Sequence, residues 1–99
     1  MAKLIFRQAA IDDLDEIWHY TLNKWSEKQA DLYYHDIKLA CNHIATKPEI
    51  GKRYLQIRDS LLGVKSGRYI IFYQQNSNSE IEVIRILHEQ MDLKNWFVK

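Results

Sequence analysis

The feature that most constrains this chain is the run Trp25-Ser26-Glu27-Lys28-Gln29, where one helical pattern ends and the next begins at once. Upstream, Ile11, Leu14, Ile17/Trp18, Thr21/Leu22 and Trp25 recur at intervals of three and four, which predicts a helix from Ala10 with one buried stripe. Asp12, Asp13, Asp15 and Glu16 crowd its first turns, where the helix dipole favours negative charge, and Lys24 stands near its end. Ser26 and Gln29 form a capping box, the Ser hydroxyl accepting from the third amide and Gln29 reaching back. Ala30, Tyr33/Tyr34, Ile37, Ala40/Cys41 and Ile44 mark a second stripe, which must stop near Lys47 because Pro48 disfavours helical geometry before it. Helices joined so closely form an antiparallel hairpin, and each stripe then needs another partner.

The C-terminal half supplies that partner. Leu61 to Lys65 and Arg68 to Gln74 read as strands joined through Ser66-Gly67, where Gly supplies positive φ. Asn76-Ser77-Asn78-Ser79 is a second turn, followed by Glu80 to Leu87, rich in Ile and Val. With Lys3 to Arg7 these strands predict an α+β fold, a mainly antiparallel four-stranded sheet covered on one face by the helical hairpin. Pro48 to Arg58, broken by Gly51 and rich in positive charge, reads as the irregular stretch.

Residues 1–99 are read as a single domain, with a core of ordinary size. The longest apolar run, Tyr69 to Tyr73, is far too short to span a membrane, and the N-terminal stretch to Arg7 is too short for a signal peptide. Cys41 stands alone, so no internal disulfide forms, and a reducing cytoplasm is the expected location. Formal net charge is only +1, yet it is unevenly spread: acids gather at 12–16, while Lys52, Arg53, Arg58, Lys65 and Arg68 face only Asp59.

Candidate chemistry is sparse. Strict alternation along the last strand puts Ile81, Val83, Arg85 and Leu87 on one face and Ile84 and Ile86 on the other. A guanidinium among apolar neighbours must be paired or face solvent. Arg85 is thus either offered on an open sheet face to an acidic partner or phosphate, or held in an ion pair with Asp59 or Glu82. His88 with Asp92 suggests a strand-end hydrogen bond before an acid–base pair. No metal site is expected, because His19, His35 and His43 stand isolated on helices and zinc needs three or four convergent ligands. The basic 52–68 stretch, interleaved with Tyr54 and Tyr69, could follow a phosphate backbone but better suits an acidic peptide. Trp96 and Phe97 either fold back on the core or belong to a contact surface. No nucleophile triad and no glycine-rich phosphate loop is present.

Along nearly its whole length the chain resembles the ParE toxins of type II toxin–antitoxin systems, within the RelE/ParE superfamily. Ala10-Ile11-Asp12-Asp13-Leu14 is similar to A-x-x-D-L at the first helix, and Tyr20 with Trp25, Gln29, Ala30 and Tyr33 to a Y…W…QA..Y pattern. Pro48-Glu49-Ile50-Gly51 with Arg58 resembles P-x-x-G…R, and Ile71-Phe72-Tyr73 an I-x-Y strand. Ile84-Arg85-Ile86-Leu87-His88 with Met91-Asp92 resembles a closing R-I-L-H-x-x-M-D. Arg7 departs from a Ser that caps the first helix in many members, a difference of about 1 kcal/mol in helix start.

The resemblance implies a β-α-α-β-β-β fold and a cytoplasmic toxin that needs no cofactor. Its implied target is DNA gyrase, poisoned by stabilising the cleaved-DNA complex, and its implied partner a ParD-like antitoxin encoded beside it. The toxin alone is expected to bind no DNA sequence specifically. Arg85, His88, Met91, Asp92, Trp96 and Phe97 are the expected gyrase contacts. For the antitoxin, the expected contacts are Arg53, Arg58, Lys65, Arg68, Tyr69 and Tyr73, rimming an apolar groove between hairpin and sheet. The alternative is RelE-like ribosome-dependent mRNA cleavage, for which Arg58, Arg85 and His88 form a partial set. A third possibility is a decayed toxin retained as an adaptor.

Overall fold

The structure is a computed structural model that describes residues 2–90. Met91, Asp92, Trp96 and Phe97 therefore lie outside the described residues. The elements run β1 (Lys3–Phe6), α1 (Gln8–Lys24), α2 (Glu27–Thr46), a 3-10 turn (Pro48–Ile50), β2 (Lys52–Arg53), β3 (Leu62–Ser66), β4 (Tyr69–Ser77) and β5 (Glu80–His88).

The helical hairpin forms where the sequence places it. The Ser26 hydroxyl accepts the Gln29 amide at 3.1 Å, and α2 ends at Thr46, immediately before Lys47-Pro48. The first helix begins at Gln8 rather than Ala10, with extended Arg7 at its cap and no side-chain cap bond. Its first turn contains no acid, so Asp12 and Asp13 lie deeper in the helix than the dipole argument assumed.

Among the described residues the sheet has five strands, not four, in the order β1-β5-β4-β3-β2. Of these pairings only β1–β5 is parallel. The added strand is Lys52–Arg53, paired with Gly63 and Leu62 inside the stretch read as irregular. Two charged residues carry no alternation, so only the neighbouring strand's free edge could recruit them. The β3–β4 turn is Gly67-Arg68 rather than Ser66-Gly67: Ser66 pairs with Tyr69, and Gly67 takes the left-handed φ of 60°. β4 also runs on to Ser77, through half of the turn read from Asn76 to Ser79.

The strict alternation expected along β5 fails at one residue. Phe72 pairs with Arg85 but the next residue, Tyr73, pairs with Val83, leaving Ile84 as a bulge. The bulge resets the phase. Ile86 joins Ile81 and Val83 on the helix side with Ile17, Ile37, Cys41, Ile44, Ile71 and Tyr73. Ile84 and Leu87 instead face the other side with Leu61, Ile70 and Phe72.

That second face is covered rather than open. The segment 54–61 folds across it, Tyr54 and Ile57 packing on the cluster and the Tyr54 ring meeting Phe72 edge-on at 5.0 Å. Gly63 makes the close approach possible, since a Cβ there would stand 2.6 Å from the Tyr54 ring and 3.0 Å from Ile70. Gly63→Ala is expected to lift this segment and cost about 1–3 kcal/mol by overpacking, read as a lower urea midpoint at unchanged slope. A midpoint equal to that of the unaltered chain would show that the segment contributes no packing there.

Candidate functional site

Among the described residues, the most deeply placed ion pair joins α1 to β5. Asp13 falls between Ala10 and Ile17 on the buried stripe of α1 and is itself buried. Its carboxylate accepts from Arg85 Nε and Nη2, each at 2.8 Å, and from the Ile86 backbone N–H at 3.0 Å. The forked geometry matches guanidinium to carboxylate, and the third bond satisfies a backbone donor that β1 does not reach. Hydrogen bonding to Asp13 raises the Arg85 pKa against the opposing effect of burial, and Asp13, Glu16 and Asp12 add favourable charge. Arg85 is therefore paired, but with Asp13 rather than with Asp59 or Glu82. The sequence signal for this pair is a carboxylate at the i+3 position of an apolar stripe, which the neighbouring acids Asp12, Asp15 and Glu16 obscure. Glu82 has its own partner, Arg7 at 2.8 Å, whose hydrogen bond lowers its pKa.

Three surfaces surround this centre. On the β1 side, an apolar groove of about 380 Å³ runs between the outer strand and the hairpin. Leu4, Phe6, Ile11, Leu14, Tyr34 and Ile37 line it, with Cys41 at its base and Lys38 and Asp15 among its polar groups. Burial pushes the Cys41 thiol up to about 11, so it stays protonated at neutral pH.

The second surface is a hollow over the ion pair, bounded by Ile17, Tyr20, Ile86, Leu87 and His88. It opens beside the third, a cleft of about 380 Å³ where the end of the hairpin meets the β3–β4 turn. Tyr20, Lys24, Trp25, Tyr33, Arg68, Tyr69 and His88 line this cleft. Tyr69 meets Tyr33 edge-on at 6.2 Å and His88 at 5.5 Å. Burial is the main reason that the Tyr69 pKa is raised, with Tyr33 and Tyr20 adding to it. His88 Nδ1 accepts the Gln90 N–H at 3.1 Å; the expected bond to Asp92 lies outside the described residues.

The expected antitoxin contacts do not converge. Tyr73 is fully buried and its hydroxyl donates to the Pro48 carbonyl at 2.6 Å, so it is a core residue rather than a surface one. Arg53 is exposed on β2, and Arg58 belongs to the segment over the second face. Lys65 pairs with Glu89 at 2.6 Å, a bond that lowers the Glu89 pKa. Only Arg68 and Tyr69 come together, in the cleft. The basic β2–β3 edge and the apolar β1 groove lie at opposite edges of the sheet, because β1 and β2 are its two outer strands. A groove rimmed by the whole 52–68 segment is therefore not what the fold builds. Among the described residues, no cluster of three or more His, Cys, Asp or Glu side chains is arranged for a metal ion. Nor is any helix among them long and apolar enough to cross a membrane.

The family model described as the ParE toxin of type II toxin–antitoxin system, parDE, matches residues 4–93. The chain belongs to the ParE toxin family. Among its relatives, Toxin ParE1 of Mycobacterium tuberculosis (strain ATCC 25618 / H37Rv) is 30% identical over 92 residues, covering 93% of this chain and 94% of that protein. Toxin ParE1 of Caulobacter vibrioides (strain ATCC 19089 / CIP 103742 / CB 15) is 30% identical over 82 residues, 83% of each chain. A solved structure described as the chromosomal ParDE TA system from P. aeruginosa superimposes with a TM-score of 0.76 at 17% identity, covering 89% of this chain and 96% of that one. This ParE-type toxin thus shares its fold with a ParDE structure.

In this ParE-family chain, Asp13→Ala is expected to cost about 3 kcal/mol, because two charge-assisted bonds and the Ile86 N–H acceptor are lost together. A double-mutant cycle with Arg85→Met, measured by denaturant unfolding, should give a coupling of at least about 1 kcal/mol. Additivity within about 0.5 kcal/mol would show that the pair does not stabilise the fold as a unit.

Proposed function

We propose that this toxin acts by docking on DNA gyrase and stabilising its cleaved-DNA complex, which blocks replication. In this reading it works in the cytoplasm, makes and breaks no bond of its own, and is neutralised by a ParD-like antitoxin. The observation that carries it is the commitment of Arg85 to Asp13. Cleaving RNA through its 2′-hydroxyl needs a base, an acid and cations gathered around one phosphate. Arg85 is instead engaged in holding α1 to β5. Arg58 belongs to the segment over the far face, and His88 stands on the helix side with Nδ1 accepting from Gln90. That dispersal favours a docking protein over RelE-like cleavage.

The gyrase-contacting surface in this reading is the exit of β5, with His88 and the following Met91, Asp92, Trp96 and Phe97. Arg85 serves it by fixing the strand from which they leave. Purified toxin added to gyrase and supercoiled plasmid should yield linear DNA after detergent and protease treatment, while translating ribosomes should gain no new mRNA ends. Ribosome-dependent cuts without trapped plasmid would move the assignment to an endoribonuclease.

The antitoxin reading rests on the β1 groove. It is apolar, and it borders an outer strand that an extended segment can join while alternate side chains enter the groove. The P. aeruginosa structure, described as a ParDE system, agrees with such a partner. Ile11 and Tyr34 are 41% and 49% exposed, so altering them spares the core. Ile11→Glu and Tyr34→Ala should each weaken antitoxin binding about tenfold or more by calorimetry, whereas Arg53→Glu on the opposite edge should not. The reverse ranking would return the antitoxin to the basic edge.

A further inference from the structure

Exposed apolar residues scattered singly need no explanation, but several aromatic rings around one opening do. Trp25 is 70% exposed and Tyr20 51% exposed, and both line the cleft at the end of the hairpin with Tyr33, Tyr69 and His88. The local fold assembles them. Tyr20 and Trp25 close α1, Tyr33 opens α2, and the two-residue turn at Gly67-Arg68 brings Tyr69 across from His88.

The charge lining this cleft has one sign. Among the described residues, Lys24 and Arg68 are its charged side chains and no carboxylate lines it. Nearby acids are engaged or lie to one side. Asp13 is held by Arg85, Glu89 by Lys65, and Glu16 lines the neighbouring hollow. Lys24 Nζ already stands 5.6 Å from the Tyr20 ring centroid, so cation and ring face are offered together. A volume of about 380 Å³ suits a single small-molecule-sized unit.

We propose that this cleft binds one nucleotide of a single-stranded nucleic acid, its base stacked among Tyr20, Trp25 and Tyr69 and its phosphates met by Lys24 and Arg68. Ring platforms combined with cations are the general means of holding unpaired strands, and they tolerate sequence because every base has a π face. An acidic peptide would satisfy Lys24 and Arg68 but leave the ring faces in water, so the nucleotide accounts for more of what the cleft offers. The inference goes beyond the gyrase reading, because it concerns the isolated chain and holds or fails without gyrase.

The test is a titration of the full chain with 5′-phosphorylated hexathymidylate, followed by backbone amide shifts. Saturable shifts should centre on Tyr20 to Trp25, Tyr33, Arg68 and Tyr69. Tyr20→Ala should weaken binding about tenfold or more. Lys24→Ala with Arg68→Ala should lower the slope of log affinity against log salt by about 1.4, two single-strand phosphate contacts. Lys28→Ala, an exposed cation outside the cleft, should change neither. Absence of saturable shifts, shifts centred elsewhere, or a salt slope unchanged in the double variant would each overturn the proposal. So would a hexaglutamate peptide that binds the cleft as tightly as the oligonucleotide.

Discussion

A single buried carboxylate does the work of a missing strand. β1 stops at Phe6, opposite Val83, and the last bond along that edge is Arg7 N–H to the Val83 carbonyl at 3.0 Å. Beyond it, the β5 backbone would present an amide to an apolar helix face. Asp13 meets that amide at Ile86 and clasps Arg85 with the same carboxylate, so α1 replaces β1 along the second half of the strand. Without such an acceptor the donor would be buried with its hydrogen bond unmade, at a cost of about 1–3 kcal/mol. The bond also fixes the position of α1 along β5, and hence which residues of its last turns look over Tyr69 and His88.

Covering both faces of the sheet shapes the functional surface as much as that ion pair does. The hairpin occupies one face, and the 54–61 segment, laid over Gly63, occupies the other. Among the described residues little broad sheet surface is left open, and the grooves lie at edges and ends. The apolar β1 groove is one such place and the aromatic cleft at the hairpin's end is another. They differ in chemistry: one is lined mainly by Leu, Ile and Phe with Tyr34, Lys38 and Asp15 among them, the other mainly by aromatic rings with Lys24 and Arg68. A protein that acts by holding other molecules can use both at once, whereas catalysis would need its groups at a single point.

The same covering explains why a run of basic residues in sequence is not a basic patch in space. Lys52 and Arg53 sit on an outer strand, Arg58 on the second face, Lys65 in a pair with Glu89, and Arg68 at the mouth of the cleft. Two turns and a strand reversal separate neighbours in the chain. Charge counted along the sequence overstated the field that any one partner would meet.

Local signals alone determined the helical hairpin, its cap at Ser26, its end before Pro48, the three long or medium strands of the C-terminal half and the α+β class. Each rests on periodicity or on backbone stereochemistry within a few residues, and the ordered short motifs sufficed to point to the toxin family. Tertiary structure alone decided the fifth strand, the bulge at Ile84, the burial of Tyr73, the cover over the second face and the partner of Arg85. Lys52–Arg53 is a strand only because β3 offers it an edge, and Ile84 bulges only because β4 and β5 must pair on both sides of it. Arg85 finds Asp13, 72 positions away in sequence, because two apolar surfaces pack and leave one donor set to be satisfied. Hydrogen-bond accounting between segments is a property of the packed chain, and no window of the sequence contains it.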